Sequence, residues 1–157
     1  MVGGRKQVMV VKVVHSLLIK DEKVLLIFKE SRQKWFLPGG KSEFGESVLQ
    51  TGLREFLEET GLRLDQAKLG AVTNVVIEED NKEWMLFTVV GTQCSGELLE
   101  HSREGRLAWH PIGALHSLPM FEGDRFIITQ LVKDEQTAPI VSAQYYTPSY
   151  ELQRIER

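Results

Sequence analysis

Three glutamates in the middle of the chain, Glu55, Glu58 and Glu59, have the type and spacing of a metal site. Residues three and four apart on a helix lie next to one another on one face. Carboxylates placed in this way repel each other, at a cost of roughly a few tenths of a kcal/mol per pair. Mg²⁺ or Mn²⁺ would offset the repulsion, because hard oxygen ligands suit these cations. The spacing therefore predicts either a divalent metal site or, as the plainer alternative, a solvated acidic helix face.

The residues around the glutamates favour the metal interpretation. A glycine-rich loop, residues 37–41, brings backbone close to the start of the helix. Glu46 and Arg54 add an acid and a base near the same helix. Arg54 could pair with Glu58 four residues on and hold it in position, although a simple surface ion pair contributes little stability.

The helix that carries the glutamates has sequence signals at both ends. Ser47 and Gln50 have the spacing of a capping box, and Gly61 suits the left-handed position after the last turn. Apolar residues recur at helical spacing and are expected to face the core, namely Leu49, Leu53, Phe56 and Leu57. The three glutamates are therefore expected on the opposite face, directed away from the core.

The remaining elements are predicted from the alternation of apolar and polar residues and from turn-forming residues. Predicted strands are residues 8–18, 24–28, 71–78, 83–92 and 107–111, with a turn at 21–23 and a hairpin around 80–81. Predicted loops are residues 34–46 and 95–106, a second helix covers 123–133, and the tail at 137–157 is a strand or a hairpin. Because strands flank two helices, the sequence predicts an α+β or α/β fold with a mixed sheet.

Composition sets outer limits on the function. The 157 residues fit one domain, with residues 1–7 expected to be flexible, and 42% hydrophobic residues indicate a globular chain. A net charge of −3 argues against binding duplex nucleic acid through a basic face. The single cysteine fits a reducing compartment, and no segment approaches transmembrane length. We expect a soluble, cytoplasmic protein without a membrane partner, either a monomer or a homodimer.

The segment around the glutamates resembles a known motif. Gly40, five residues, Glu46, seven residues and then residues 54–62 (Arg-Glu-Phe-Leu-Glu-Glu-Thr-Gly-Leu) resemble the Nudix box at every defined position. The resemblance implies the Nudix fold, a mixed sheet sandwiched between helices, in which the box forms loop, helix and loop. It also implies hydrolysis of a nucleoside diphosphate linked to another group, with Mg²⁺ as cofactor and Mn²⁺ as a substitute.

The same resemblance implies roles for individual residues of the box. The metal ligands would be Glu55, Glu58 and Glu59. Arg54 and Glu46 would orient these ligands.

Two further segments resemble the MutT-like branch of the family. Residues 35–41 look like its substrate loop, which implies that Gly39, Gly40 and Lys41 contact substrate. Residues 103–109 are similar to a segment whose loop glutamate joins the metal site or acts as base, and Glu104 matches that glutamate. The alternative for Glu104 is an ordinary loop residue.

A third segment concerns the base of the nucleotide. Residues 118–124 resemble the stretch that grips the base in oxidised-purine triphosphatases, where Asp124 would read the purine edge and Phe121 would stack on the ring. The alternative for Asp124 is a plain helix N-cap. Residues 144–148 look like the final strands of the same branch.

The resemblance implies a nucleoside triphosphate pyrophosphohydrolase. Water would attack the β-phosphorus and release a nucleoside monophosphate and pyrophosphate, with 8-oxo-dGTP as one candidate substrate. Two alternatives stay open: another Nudix substrate, such as ADP-ribose, a dinucleoside polyphosphate or an RNA 5′ end, and a non-catalytic nucleotide-sensing domain. The four histidines show no ligand spacing and are expected to be structural or at the surface, and Trp84 is expected to pack or to line a pocket.

Overall fold

The computed structural model describes residues 10–133 and 138–157. Its strands are β1 (Val11–Lys20), β2 (Lys23–Lys29), β3 (Lys34–Phe36), β4 (Gly39–Lys41), β5 (Leu62–Asp65), β6 (Lys68–Ile77), β7 (Lys82–Gly91), β8 (Gln93–Gly96), β9 (Arg106–Pro111), β10 (Ile140–Tyr146) and β11 (Leu152–Glu156). Its helices are α1 (Val48–Thr60), a short 3₁₀ helix (Ile112–Ser117) and α2 (Glu122–Lys133). No helix in this part of the chain is long and apolar enough to cross a membrane.

The main sheet is mixed and runs in the order β11-β10-β6-β7-β1-β2-β3, with β4 beside β1 and β9 beside β2. The β6–β7 pair is antiparallel, whereas β1 lies parallel to β7 and β10 lies parallel to β6. Strands β5 and β8 form a separate two-stranded sheet. Two parallel pairings therefore flank a central antiparallel hairpin.

The two helices cover opposite faces of the sheet. Phe56 of α1 packs with Val14 of β1, whereas Ile128 of α2 packs with Leu17 of β1. Val14 and Leu17 are an odd number of positions apart, and side chains along a strand alternate between faces. The predicted mixed sheet between helices is confirmed.

Helix α1 begins and ends as the sequence predicts, but its buried face is different. Ser47 and Gln50 form the capping box, and Gly61 takes a left-handed conformation with φ +79°. Leu49 and Leu57 are not in the core, since they are 41% and 40% exposed. The helix instead approaches the sheet at Gly52, where an added Cβ would stand 2.9 Å from Val89.

This close approach also corrects the expectation that all three glutamates face away from the core. The buried residues of α1 are Thr51, Gly52, Phe56, Glu59 and Thr60. Glu59 follows Phe56 by three positions, so the turn of the helix places it on the buried side. Glu58 stays on the outer side, with a side chain that is 46% exposed.

The segment predicted as a loop at residues 34–46 contains two short strands. In β3, Trp35 pairs with Phe28, and in β4, Gly39 pairs with His15. Glycines carry no side chain that could show the alternation of a strand, which is why β4 was missed. Strands β5 and β8 were also missed, because four-residue strands are too short for a periodic signal.

The C-terminal segment forms an antiparallel hairpin of β10 and β11. Strand β10 pairs with β6 from Ile140↔Ala71 to Tyr145↔Val76, so the hairpin extends the main sheet. Residues 1–7, the first two residues of the predicted strand 8–18 and residue 137 lie outside the described residues.

Candidate active site

Arg54 is the centre of the polar network on α1. Its Nε lies 2.8 Å from Oε2 of Glu46, and its Nη2 lies 2.8 Å from Oε1 of the same carboxylate. These two bonds, with a further one from the backbone N–H of Glu43, lower the pKa of Glu46 to about 2. Glu46 is therefore an anion fixed to Arg54 throughout the neutral pH range.

The remaining nitrogen of Arg54 reaches two of the three glutamates. Nη1 lies 2.9 Å from Oε1 of Glu55 and 3.3 Å from Oε2 of Glu58. The predicted i, i+4 contact with Glu58 is therefore present, but the two-bond pairing with Glu46 is the stronger one. Arg54 connects the acid ahead of the helix to two carboxylates on it.

Glu59 lies in a different environment from the other two glutamates. It is 6% exposed, and its Oε2 accepts a hydrogen bond of 2.9 Å from the backbone N–H of Gly39. Burial raises its pKa to about 8, although the Gly39 bond and the charge of Lys29 oppose that shift. Burial therefore favours the protonated form of this carboxylate as long as no metal ion is bound beside it.

The glycines of β4 allow the helix carboxylates to lie against the strand. An added Cβ on Gly40 would stand 2.5 Å from the Cδ of Glu55. An added Cβ on Gly39 would meet the backbone of β1 at Val14 and His15. Both positions therefore need glycine for close approach, while Lys41 at the end of the strand is exposed.

A pocket of about 400 Å³ lies on the α2 side of β4. Its floor comes from two parallel strands, with Val13 and His15 on β1 and Trp84 and Leu86 on β7. The other residues that line it are Lys29, Arg32, Phe36, Leu37, Gly39, Gly40, Lys41, Phe121, Asp124 and Tyr150. The predicted contacts at residues 39–41, 121 and 124 thus all border one cavity.

Asp124 is buried at the end of this pocket. It is 3% exposed, and its Oδ2 accepts a hydrogen bond of 3.1 Å from the backbone N–H of Leu37. Because α2 begins at Glu122, Asp124 lies inside the first turn and binds a neighbouring segment, and does not act as the N-cap. Burial raises its pKa to about 7, so both protonation states are populated near neutral pH.

His15 is buried and contacts Asp124, which fits the structural alternative of the sequence prediction and excludes the surface one. Its Nδ1 lies 3.5 Å from Oδ1 of Asp124, and its Nε2 lies 2.6 Å from the hydroxyl of Thr88. Burial lowers the pKa of His15 to about 3, so its ring is neutral. The two ring nitrogens of His15 thus face different partners, Asp124 at Nδ1 and Thr88 at Nε2.

Phe121 already has aromatic neighbours. Its ring is stacked on Tyr146, with centroids 4.9 Å apart, and on Phe36, with centroids 5.7 Å apart. Phe36 also borders the pocket, so a base that stacks on Phe121 as predicted would contact both rings.

Sequence reasoning missed several pocket residues that carry charge or an aromatic ring. The charge of Lys29 opposes the rise in the pKa of both Glu59 and Asp124, and its side chain borders the pocket. Arg32 and Tyr150 border the pocket from two different turns. A signal for Lys29 was present, since it ends the apolar run of β2 with a cation.

The sequence pattern of the NUDIX domain matches residues 9–131, which include the glutamate helix and most of the pocket. The chain belongs to the Nudix family.

Relatives within the Nudix family resemble the chain over most of its length. YvcI of Bacillus subtilis, described as an uncharacterized Nudix hydrolase, is 37% identical over 144 residues that cover 90% of each protein. A crystal structure of a mutator MutT protein from Bacillus halodurans matches with a TM-score of 0.86 and 35% identity, over 94% of this chain and 97% of that one. The human 8-oxo-dGDP phosphatase NUDT18 is 32% identical over 102 residues, 60% of this chain and 30% of the human protein.

Nudix hydrolases cleave nucleotide anhydride bonds and generally use divalent metal ions. Among the described residues, no three His, Cys, Asp or Glu side chains converge on one point in the way a formed metal site requires. Glu55 and Glu58 turn toward Arg54, and Glu59 turns toward Gly39. The donors nevertheless fit the chemistry of a hard cation, because all are carboxylates and the buried one has no cationic hydrogen-bond partner within residues 10–133 and 138–157.

Glu104 lies in the loop before β9 and is exposed. Its charge is one of the smaller contributions to the raised pKa of Glu59. The role of Glu104 at the metal site or as a base therefore stays a prediction.

Proposed function

We propose that this Nudix enzyme is a Mg²⁺-dependent nucleoside triphosphate pyrophosphohydrolase that prefers a purine, with 8-oxo-dGTP as a leading candidate. The observation that supports this most is the position of β4. The backbone N–H of Gly39 binds Glu59, while residues 39–41 border the pocket that ends at Asp124. One short strand thus joins the carboxylate cluster to a cavity suited to a base.

The charges of the pocket fit a triphosphate that runs between these two ends. Lys29, Arg32 and Lys41 border the cavity and supply cations to an otherwise acidic protein. Because Lys29 lines the same cavity as Gly39 and Asp124, it would meet the phosphates between base and metal. A phosphate chain at this place would be stabilised by charge-assisted hydrogen bonds.

The residues of the Nudix box would have different roles in the reaction. Glu55, Glu58 and Glu59 would hold the metal, while Glu46 and Arg54 keep two of these carboxylates in position. A bound divalent ion supplies charge neutralisation on the phosphate oxygens and a more acidic water. Glu58 or Glu104, both exposed, would take the proton from the attacking water, and attack at the β-phosphorus would release pyrophosphate.

The pocket and the relatives both support the choice of base. A buried carboxylate can accept hydrogen bonds from N1–H and the exocyclic amine of guanine, and oxidised guanine keeps both donors. The human relative acts on 8-oxo-dGDP by its name, and the Bacillus halodurans relative is named a mutator protein. We also propose a cytoplasmic location, which the lone free Cys94 supports.

A substrate panel with detection of pyrophosphate and phosphate tests the proposal. The panel holds the four dNTPs, 8-oxo-dGTP, 8-oxo-dGDP, ADP-ribose, a dinucleoside polyphosphate and a capped RNA. We expect the highest kcat/KM for a purine triphosphate, with pyrophosphate as the second product. A higher kcat/KM for ADP-ribose or for RNA would replace this proposal with another Nudix activity, and no turnover of any substrate would favour a nucleotide sensor.

A further inference from the structure

The hairpin of β10 and β11 lies outside residues 9–131, which the NUDIX pattern matches, yet it is joined to the pocket. Gln144 of β10 donates a hydrogen bond of 3.3 Å to the carbonyl of Gly123 and accepts one of 2.6 Å from the hydroxyl of Tyr146. Gly123 has no room for a Cβ beside these two side chains. Strand β10 therefore fixes the start of α2, the turn that carries Asp124.

The turn of the hairpin presents Tyr150 to the pocket. Tyr150 has a φ of +65°, which is unusual for a residue with a side chain. Its backbone N–H donates to the carbonyl of Thr147 over 2.9 Å, and the N–H of Thr147 donates to the carbonyl of Glu151 over 2.9 Å. These bonds hold the strained conformation and direct the ring toward the cavity that it lines.

The ring of Tyr150 forms one wall with Trp84 and lies under a cation. Its centroid is 6.2 Å from that of Trp84, at an interplanar angle of 50°, so the two rings are neighbours but not stacked. The guanidinium of Arg32, from the turn between β2 and β3, lies 4.9 Å from the Tyr150 centroid. Arg32 and Tyr150 thus meet from separate turns at the border of the pocket.

We propose that Tyr150 is a base-contacting residue that, together with Trp84, forms the aromatic wall on which a purine is selected. This inference rests on the proposed function, because it assigns a residue to the base end of the same site. Trp84, Tyr150 and Phe36 all line the cavity, which therefore offers aromatic surface to a flat group. A purine covers more of these rings than a pyrimidine does, so the wall favours the larger base.

The competing explanation is that Tyr150 only stabilises the hairpin. A purely structural role would lower the melting temperature and leave the ratio of KM values for a purine and a pyrimidine unchanged. Tyr145 of β10 offers a matched control, because it lies on the same hairpin away from the pocket. Its ring lies 3.7 Å from the guanidinium of Arg154, and its hydroxyl donates to Glu156 over 3.3 Å.

The test compares Tyr150→Ala, Tyr150→Phe and Tyr145→Ala in the Mg²⁺-loaded full chain, with dGTP, 8-oxo-dGTP and dCTP as substrates. We expect Tyr150→Ala to raise KM for the two purines by about tenfold or more, as for loss of one base-stacking ring. KM for dCTP should rise less, and kcat should change by less than about threefold. Tyr150→Phe keeps the ring and should resemble the wild type, as should Tyr145→Ala.

Each outcome separates this inference from the proposed function. Equal KM increases for purine and pyrimidine, or no increase, would overturn the role of Tyr150 and leave the proposed function intact. A wild-type protein that turns over no triphosphate would overturn both. Should Tyr150→Ala melt far below the wild type, Tyr150→Leu provides a bulky, non-aromatic replacement, and the same purine-to-pyrimidine ratio decides.

Discussion

Arg54 and Glu46 are joined by two hydrogen bonds of 2.8 Å each, from Nε and Nη2 of the guanidinium to the two oxygens of the carboxylate. This fork-to-fork pairing fixes the plane of the guanidinium. Its third nitrogen can then contact Glu55 and Glu58 in a set direction. We therefore propose that the pair orients the proposed metal ligands, through its geometry more than through its charge.

A variant that keeps the positive charge of residue 54 but cannot form both hydrogen bonds to Glu46 tests this role. Lysine cannot reproduce two parallel bonds to one carboxylate. We expect Arg54→Lys to lower kcat by about 10- to 100-fold, as for loss of a partner that orients metal ligands, with a small change in nucleotide KM. Steady-state kinetics over a Mg²⁺ titration measure both. Wild-type kcat in Arg54→Lys would show that charge alone suffices, and Arg63→Lys, at an exposed position of β5, is the control.

Dependence on a divalent metal is the second prediction. Activity should require Mg²⁺ or Mn²⁺ and disappear in excess EDTA, because the carboxylates of α1 need a cation to act together. Glu58→Gln should lower kcat by about 100-fold or more, by analogy with loss of one charge-stabilising group. Its melting temperature in EDTA should stay close to wild type, because the side chain is 46% exposed. Full turnover in EDTA would contradict the metal requirement.

The bond that is cut gives a third prediction. Attack at the β-phosphorus places the oxygen of the attacking water on that phosphorus. Hydrolysis of dGTP in water labelled with oxygen-18 should therefore put the label on pyrophosphate, as read by mass spectrometry. Label found only in the monophosphate would mean attack at the α-phosphorus and a different pose of the triphosphate in the site.

Recognition of the base by Asp124 gives a fourth prediction. Asp124→Ala should raise KM for dGTP or 8-oxo-dGTP more than for dCTP, by roughly 1–3 kcal/mol of discrimination, since a buried polar partner is lost. It should also lower the melting temperature, because the N–H of Leu37 loses its acceptor. Glu122→Ala is the control, since Glu122 lies in the same turn and is exposed. Equal KM changes for all three nucleotides would leave Asp124 with a structural role alone.

The buried pair of His15 and Asp124 predicts an opposed dependence of stability on pH. The pKa of Asp124 is raised from 3.8 to about 7, so the folded protein binds that proton more tightly and loses stability as pH rises across this interval. The pKa of His15 is lowered from 6.5 to about 3, so the folded protein excludes that proton and gains stability as pH rises to 6.5. In the wild type the two contributions oppose each other.

Removing either side chain should reveal the pH dependence of stability that the other one contributes. For Asp124→Asn, the melting temperature relative to wild type should increase by several degrees as pH rises from about 4 to about 7, since the destabilising ionisation is lost. For His15→Gln, the relative melting temperature should change in the opposite direction. Thermal melts in EDTA across this range measure both, and a difference that is constant with pH would contradict the burial-driven shifts.

The parts of the site that were predictable are those with a local signal. The capping box at Ser47, the left-handed Gly61 and the contact between Arg54 and Glu58 all follow from spacing within one helix. The exposure of Leu49 and the burial of Glu59 do not, because both depend on how closely Gly52 lets the helix approach β7. Helical spacing gives the faces of a helix but not which face meets the sheet.

The pocket was less predictable, because it is assembled from distant segments. His15 and Thr88 are 73 positions apart and become neighbours only through the parallel pairing of β1 and β7. Tyr150 reaches the cavity only because β10 joins the sheet beside β6. Such contacts leave no pattern in the spacing of residues, and neither histidine nor tyrosine had a neighbour in sequence that indicated a site.

The strand order also has a consequence for how the chain folds during synthesis. The β6–β7 hairpin forms from local pairing, but the outer edge of β6 is covered only when β10, near the end of the chain, lies beside it. During synthesis this edge, with buried Ala71, Val75 and Ile77, stays open for about sixty residues. An unpaired apolar edge is a template for intermolecular pairing. Chains shortened before Ile140 should therefore aggregate, which would make β10 a safeguard of solubility during folding.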